Sequence, residues 1–233
     1  KIYYKEKKSN GRRNIYILGI KVLSYRRKTN DVYTSLSLEE IAEIQSNHKT
    51  IEQNITQKKQ NNQKIKVVFL VSLSSMFPAK PFFLYLKNQV DYDTKIIIIP
   101  DFRFGNDKVE KLQLECFQSL KKEFGDSLLK MAALKEEDDN INIKDFADII
   151  FMSLPYDVSY KKYSLKSIIK LGILPCCVNY GFFRSMYDRE MLLSGETYAL
   201  YWKVFSETKY NQDEFENFSL IKGKNCVLTG YCK

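Results

Sequence analysis

The sequence has few of the residues on which many catalytic sites depend. Its 233 residues include a single histidine, His48, and they contain no glycine-rich phosphate loop, no HExxH motif and no GxSxG motif. A Ser-His or Cys-His pair would have to use His48, which lies outside the segments that predict the core. A histidine base is therefore not expected in this core.

Cysteine spacing argues against a disulfide-linked or zinc-binding protein, and hydropathy argues against a transmembrane protein. The five cysteines form no C-x-x-C pair and their number is odd, so neither a disulfide framework nor a zinc site is predicted. No run of 18 apolar residues occurs, and no transmembrane helix is expected. Apolar residues make up 44% of the chain, enough for a substantial core. A protein of the reduced cytosol with small buried cysteines fits these features.

The positive net charge is confined to one end of the chain. Residues 1–30 contain ten lysines and arginines and one acid, and the other 27 bases and 27 acids balance, so this segment carries the whole net charge of +9. A nucleic-acid-binding protein usually places its basic face on the folded domain. A nucleic-acid partner is therefore not predicted.

Residues 1–30 form a basic and apolar tail. The apolar run at 15–20 stands between basic clusters, a pattern that suits an anionic membrane surface, where each Lys or Arg contributes about 1 kcal/mol. This predicts a cytoplasmic protein, peripheral at the inner face of the cell membrane. The alternative is a β-hairpin or strand packed on the domain. The candidate membrane-surface residues are Lys7, Lys8, Arg12, Arg13, Arg26, Arg27 and Lys28.

Residues 31–63 predict an amphipathic helix and a polar linker. The helix is expected over 36–57, with Ser35 or Ser37 as its cap, and the linker over 56–64. An apolar stripe with alternating spacings of three and four residues follows the cap, and it would pack on the domain or on a second copy of the chain. A lone histidine on such a stripe is more often structural than catalytic. The stripe consists of Ile41, Ile44, His48, Ile51 and Ile55.

Residues 64–233 alternate between apolar runs and helical patterns. This alternation predicts an α/β fold, a Rossmann-like, doubly wound parallel sheet with flanking helices. Strands are expected at 65–71, 94–99, 148–153, 173–178, 202–206 and 225–229, with a short strand or turn at 128–134. Helices are expected at 80–87, 106–124, 164–171 and 211–218, and a surface loop at 135–140.

Aromatic and polar residues follow the predicted strands, at the sheet edge where parallel α/β proteins bind ligands. Tyrosine offers an apolar face and a hydroxyl to sugar or glycerol-phosphate ligands. Asp157 could accept a hydrogen bond from a ligand hydroxyl, and Gly181 would allow close backbone approach. Each residue alone also fits a packed rim or a turn, but the group favours a site. The candidates are Ser72, Ser74, Phe77, Asp101, Arg103, Tyr156, Asp157, Tyr160, Tyr163, Tyr180 and Gly181.

No metal site is predicted. The acidic residues 136–139 could suggest a cation site, but a solvated surface loop explains them better.

Two segments carry a family resemblance. PYDVSYKKYSLKSIIK at 155–170, followed by CCVNYGF at 176–182, resembles the PYD…YP…YS…YIPYGF pattern of bacterial CDP-glycerol glycerophosphotransferases and related surface-polymer glycosyltransferases. Trp202 to Glu207 followed by KNCVLTGY at 224–231 resembles their W…F…N…VTGYPK segment. Residues 15–28 also resemble segments near the start of bacterial lipopolysaccharide and capsule glycosyltransferases. The chain departs from the pattern at Asn179, Lys161 and Cys232.

The resemblance implies one half of a glycosyltransferase-B architecture. Residues 64–233 would be the acceptor-side half, and the donor-binding half, which carries the histidines used in transfer, would be missing. No cofactor is expected in this chain, whereas the full-length enzyme would use CDP-glycerol or a nucleotide sugar and a surface-polymer or lipid-linked acceptor. The fragment alone is expected to be inactive. The alternative is a non-catalytic Rossmann-like binding or scaffold protein that forms a homo-oligomer through the 41–55 helix.

Overall fold

A computed structural model describes residues 3–7, 12–17, 20–26, 36–179 and 192–230, the first three segments by backbone alone. Internal contacts divide the chain into two units, 1–34 and 35–233. The helix predicted within 31–63 therefore belongs to the same unit as the predicted sheet. Tyr180 and Gly181 lie outside the described residues, as do Lys8, Arg27 and Lys28.

The first unit contains an antiparallel sheet of three strands: β1 (Tyr3–Lys7), β2 (Arg12–Ile17) and β3 (Ile20–Arg26). The β-strands of the alternative interpretation are thus present, whereas packing of the tail on the domain stays a prediction. The register pairs Lys7 with Arg13 and Arg12 with Arg26. Four of the predicted membrane-surface residues therefore lie at one end of this sheet.

The second unit is built on a parallel sheet. Its strands are β4 (Ile65–Val71), β5 (Tyr92–Ile98), β6 (Leu129–Met131), β7 (Ile149–Met152), β8 (Leu174–Val178), β9 (Lys203–Ser206) and β10 (Cys226–Leu228). Within the described residues all neighbouring pairs are parallel, in the order β10-β9-β8-β7-β4-β5-β6. This order is Rossmann-like and confirms the predicted fold class.

Helices flank the sheet: α1 (Leu38–Gln60), α2 (Lys80–Leu86), α3 (Asn106–Phe124), α4 (Ile143–Phe146), α5 (Leu165–Lys170), α6 (Glu196–Leu200) and α7 (Lys209–Phe218). The four helices predicted after residue 64 are confirmed to within about two residues. Asn106 does not cap α3; Gly105 does, at φ 83°, a backbone conformation that favours glycine. In the described part of the chain, no helix combines the length and hydropathy needed to span a bilayer.

Helix α1 is longer than its pattern predicts. Ser37 and Glu40 form a capping box at its start, and the helix continues to Gln60, so the predicted linker at 56–64 is wrong over most of its length. Gln and Lys are good helix formers, and Lys58 Nζ lies 2.6 Å from the Asp148 carboxylate, which holds the last turn. Only residues 61–64 connect α1 to β4.

Helix α1 crosses the amino-terminal edge of the sheet. Lys59 pairs with Asp91 just before β5 at 3.9 Å, and Trp202 just before β9 donates to Glu52 at 3.2 Å. The stripe faces inward, with Ile41, His48 and Ile55 buried. The helix therefore covers the amino-terminal edge of the sheet, and its apolar stripe packs against other parts of the chain.

The core has one layer on each face of the sheet, because successive strand residues point to opposite faces. Val68 and Leu70 belong to one cluster, and Val67 and Phe69 to the other. Cys176 and Cys177 are divided in the same way and are fully buried. Both faces are thus covered, as in doubly wound sheets.

Candidate functional site

The strand order reverses between β4 and β7. In open α/β sheets, ligands bind outside the carboxyl ends of the strands at such a switch point. Three loops meet there: residues 72–77 after β4, 99–105 after β5 and 153–164 after β7. Backbone contact between them is direct, since the Phe102 amide donates to the carbonyl of Val158 at 2.9 Å.

Asp101, Arg103 and Tyr156 form a charged and aromatic cluster at this edge. The Arg103 guanidinium makes a bidentate contact with the buried Asp101 carboxylate, with Nε 2.8 Å from Oδ1. Arg103 Nη1 donates to the Tyr156 hydroxyl at 3.0 Å, and Arg103 Cζ lies 5.3 Å from the centroid of the Tyr156 ring. A bidentate pair of this kind fixes the side chains in one geometry. The structure therefore joins Tyr156 to two predicted site residues, Asp101 and Arg103, that lie more than 50 positions earlier in the sequence.

Asp157 has a structural partner. Its Oδ1 accepts a hydrogen bond from the Leu165 amide at 3.3 Å, in the first turn of α5. Ser164 caps the same helix by accepting from the Ser167 amide at 3.3 Å. The carboxylate is thus positioned by α5 while it lines the edge of the sheet.

Tyr160 and Tyr163 turn toward the acidic loop. The Tyr160 hydroxyl donates to the carbonyl of Ala133 at 2.7 Å, and the Tyr163 hydroxyl donates to the Asp139 carboxylate. Burial, followed by the charge of Asp139, raises the pKa of Tyr160 to about 12. Burial and the hydrogen bond to Asp139 raise the pKa of Tyr163 further. Both hydroxyls are protonated donors at neutral pH.

The acidic loop at 136–139 is anchored to this edge. The Asp139 side chain is 1% exposed, and Lys162 Nζ lies 2.9 Å from its Oδ2. Its Oδ1 accepts from the Ile141 amide at 3.2 Å. The prediction of a solvated loop is therefore wrong for Asp139, which is the buried anchor of the loop. Glu136, Glu137 and Asp138 are exposed.

The residues after β4 separate into three environments. Ser72 is buried at the switch point, whereas Ser74 is exposed in a short 3-10 turn. Phe77 is a core residue, with its ring centroid 5.7 Å from that of Phe69 and 6.2 Å from that of Phe83. The interpretation of Phe77 as a ligand contact is therefore replaced by core packing, because its ring is buried among phenylalanines.

Two cavities flank the Tyr156–Asp157 segment. The first, of about 20 Å³, has room for a single water and is lined by Ser72, Tyr156, Asp157, Tyr160 and Tyr163 among others. The second, of about 320 Å³, is named here the α5–α6 cavity. Its described lining consists of Met152, Pro155, Tyr156, Asp157, Leu165, Lys166, Glu196, Thr197, Leu200 and Tyr201. Its volume suits a small ligand.

The α5–α6 cavity contains an ion pair that sequence reasoning missed. Lys166 Nζ lies 2.6 Å from Glu196 Oε1, and the Glu196 side chain is 14% exposed. The Leu36 amide donates to Glu196 Oε2 at 3.1 Å. No strand-end signal marks these residues, since Lys166 lies inside α5 and Glu196 begins α6. Only the fold brings them to the segment after β7.

Two buried polar side chains follow β8 and β9. Asn179 is 6% exposed and its Oδ1 accepts from the Tyr198 hydroxyl at 3.2 Å, while no described residue pairs with its Nδ2. Glu207 is 9% exposed; its Oε2 accepts from Asn211 at 2.8 Å, and its Oε1 has no partner among the residues that the structure describes. Both residues stand directly after predicted strands, so the strand-end rule could have selected them.

The α5–α6 cavity offers a set of groups suited to binding a polar ligand. It presents an amine, two carboxylates, hydroxyls and an aromatic ring, which recognise phosphate and hydroxyl groups. Among the described residues, no group of three or more His, Cys, Asp or Glu side chains is arranged to hold a metal ion. The fold and this edge define a Rossmann-like α/β protein with a candidate small-molecule site beside the carboxyl end of β7.

Comparison with known proteins adds no relative. No protein-family model, no curated protein and no solved structure matches the chain.

Proposed function

We propose that the chain is the Rossmann-like, acceptor-binding half of a bacterial glycosyl- or glycerophosphotransferase in surface-polymer synthesis. The complete enzyme would move glycerol phosphate or a sugar from CDP-glycerol or a nucleotide sugar to a surface-polymer or lipid-linked acceptor. The α5–α6 cavity, which begins at the carboxyl end of β7, is the observation that carries this proposal. The resemblance of residues 155–182 to glycerophosphotransferases supplies the reaction class.

The lining of the cavity gives each group a role. Lys166 would bind a phosphate oxygen of the acceptor, with Glu196 and Asp157 accepting hydrogen bonds from its hydroxyls. Tyr156 would place an apolar ring face against the carbon skeleton, because Arg103 and Asp101 fix its hydroxyl end. These roles are binding and orientation.

The basic sheet supports a peripheral position at the inner face of the cell membrane. The register places Lys7 opposite Arg13 and Arg12 opposite Arg26. Like charges directly opposite each other destabilise a sheet, and an anionic lipid surface would relieve that repulsion. A lipid-linked acceptor would be presented at the same surface.

Titration with sn-glycerol 3-phosphate tests the cavity. Isothermal calorimetry on the full chain should show saturable binding, and glycerol without phosphate should bind more weakly. Lys166→Met should weaken binding by about tenfold or more, since a charge-assisted hydrogen bond contributes about 1.5–3 kcal/mol. Lys170→Met is the matched control, because this exposed lysine of α5 does not line the cavity. Equal affinities of the two variants would contradict the assignment.

Vesicle co-sedimentation tests the membrane position. The full chain should bind vesicles of phosphatidylglycerol and phosphatidylcholine in a salt-dependent manner and should not bind phosphatidylcholine alone. Arg12→Glu with Arg26→Glu should abolish the binding, and Lys108→Glu on α3 should leave it unchanged. Vesicle binding that is independent of salt and is unchanged in the Arg12→Glu/Arg26→Glu variant would contradict the membrane proposal.

The scaffold alternative receives no specific support. Its association surface would be the 41–55 stripe, but Ile41, His48 and Ile55 are buried within the chain.

A further inference from the structure

A third and larger cavity lies at the opposite edge of the sheet. It is a groove of about 620 Å³ between α1 and the segments that precede β9 and β10. Its walls come from α1, from Trp202 and Lys203, and from residues 220–225. None of these residues lines the α5–α6 cavity. The groove is called here the α1 groove, and its volume falls in the range of small-molecule sites.

One part of the α1 groove is apolar and aromatic. Leu38, Leu220 and Ile221 contribute aliphatic surface, and Trp202 contributes a half-buried indole. The indole Nε1 donates to Glu52 Oε2 at 3.2 Å, which ties the ring to α1. A fixed aromatic ring beside aliphatic side chains suits a ligand with an apolar or flat body.

The charged residues of the groove are mainly basic. Lys49, Lys203 and Lys224 line it, against the single carboxylate of Glu52, which already accepts from Trp202. Lys203 Nζ lies 5.5 Å from the centroid of the Trp202 ring. Among the described residues, neither Lys49 nor Lys224 forms an ion pair. The groove therefore has uncompensated positive charge beside its apolar wall.

His48 also lines the groove. The residue is 1% exposed, and neither ring nitrogen has a hydrogen-bond partner within the described part of the chain. Buried polar groups without partners are rare in folded proteins, and each requires an explanation. The imidazole therefore forms part of the groove wall, and its nitrogens are shielded from the groove.

The geometry points to a binding site for a small amphipathic organic anion in the α1 groove. The phosphate, sulfonate or carboxylate of the ligand lies among Lys49, Lys203 and Lys224, and its apolar body lies against Trp202, Leu220 and Ile221. Nothing in this assignment depends on the α5–α6 cavity or on the transferase proposal.

The sole tryptophan gives a direct assay, since Trp202 is a wall of the groove. The probe is 8-anilinonaphthalene-1-sulfonate, an aromatic sulfonate, added to the full chain with excitation of the tryptophan. Saturable quenching of Trp202 with energy transfer to the probe is expected. Lys49→Glu with Lys224→Glu should weaken the binding by about tenfold or more, because two cations become anions. Lys108→Glu is the matched control, an exposed charge reversal in the first turn of α3.

A second variant separates shape from charge. Ala42→Phe adds a ring at an exposed position that lines the groove, so it should weaken the probe without changing any charge. Inorganic phosphate alone should compete poorly, because it has no apolar body. Affinities that are equal in Lys49→Glu/Lys224→Glu and Lys108→Glu would overturn the site. Quenching that does not saturate, or self-association that displaces the probe, would also overturn it.

Discussion

His48 should make the stability of the second unit depend on pH in a defined direction. The imidazole is buried under α1, and burial lowers its pKa from 6.5 to about 4. Between these values the unfolded chain binds a proton at His48 and the folded chain does not. The free energy of unfolding therefore rises with pH across this window. The contribution of His48 is complete above pH 6.5 and is lost as the pH falls toward 4.

The size of the effect follows from the two pKa values. One unit of pKa corresponds to about 1.4 kcal/mol, so neutral His48 contributes about 3 kcal/mol of pH-dependent stability between the two limits. Small domains have total stabilities of about 5–15 kcal/mol. A change of this size should shift the urea midpoint measurably.

The assay is urea unfolding, followed by far-UV circular dichroism, at pH 7, 5.5 and 4.5. Other carboxylates also titrate in this range, so the decisive quantity is the difference between wild type and variant. His48→Leu should lose this part of the pH dependence and should be more stable at pH 7 by about 1–2 kcal/mol, since two unpaired buried nitrogens are removed. His48→Gln should also lose the pH dependence but without the gain at pH 7. Parallel pH profiles for wild type and His48→Leu would refute the reasoning.

Three further predictions concern individual contacts. Asp148→Ala should lower the free energy of unfolding in urea by about 2–3 kcal/mol, because Oδ2 also accepts from the Lys66 amide; Lys58→Met should cost less than about 1 kcal/mol, as its amine is partly exposed. Phe77→Ala should cost about 3–5 kcal/mol as a core cavity, against less than about 0.5 kcal/mol for exposed Ser74→Ala. Tyr163→Phe should cost about 1–2 kcal/mol at pH 7 through the lost hydrogen bond to Asp139, and a cost near zero would show that Lys162 alone satisfies that carboxylate.

The sheet could be predicted from the sequence because its strands are buried on both faces. Ile65–Val71 is apolar except for Lys66 and forms β4 over the same residues. Glycines and capping residues set the helix ends, as Gly125 does for α3 and Ser164 for α5. The error at 56–64 has a different origin. Residues 56–60 are polar, and their composition alone predicts a linker. They remain helical because Lys58 pairs with Asp148, a residue 90 positions away that the local sequence does not reveal.

The candidate site could be predicted only in part. The strand-end rule found Asp101, Arg103 and Tyr156, since a parallel sheet brings the carboxyl ends of its strands to one edge. It could not distinguish Phe77, whose ring turns into the core, because a residue type does not reveal which way a loop side chain points. Lys166 and Glu196 belong to helices, and their pairing depends on how α5 and α6 pack.

Helix α1 binds the stretch of backbone between the two candidate sites, although the helix itself lies at the amino-terminal edge of the sheet. Gln45 donates to the carbonyls of Ala199 and Tyr201 at 2.6 and 3.1 Å, so α1 holds the segment that runs from α6 into β9. Leu200 and Tyr201 of this segment line the α5–α6 cavity, and the next residue, Trp202, lines the α1 groove. The two cavities therefore share one short stretch of backbone that is fixed by α1. Because the same helix covers the amino-terminal edge of the sheet, a substitution that loosens α1 should reduce stability and disturb both cavities together, whereas changes to the lining of either cavity should act locally.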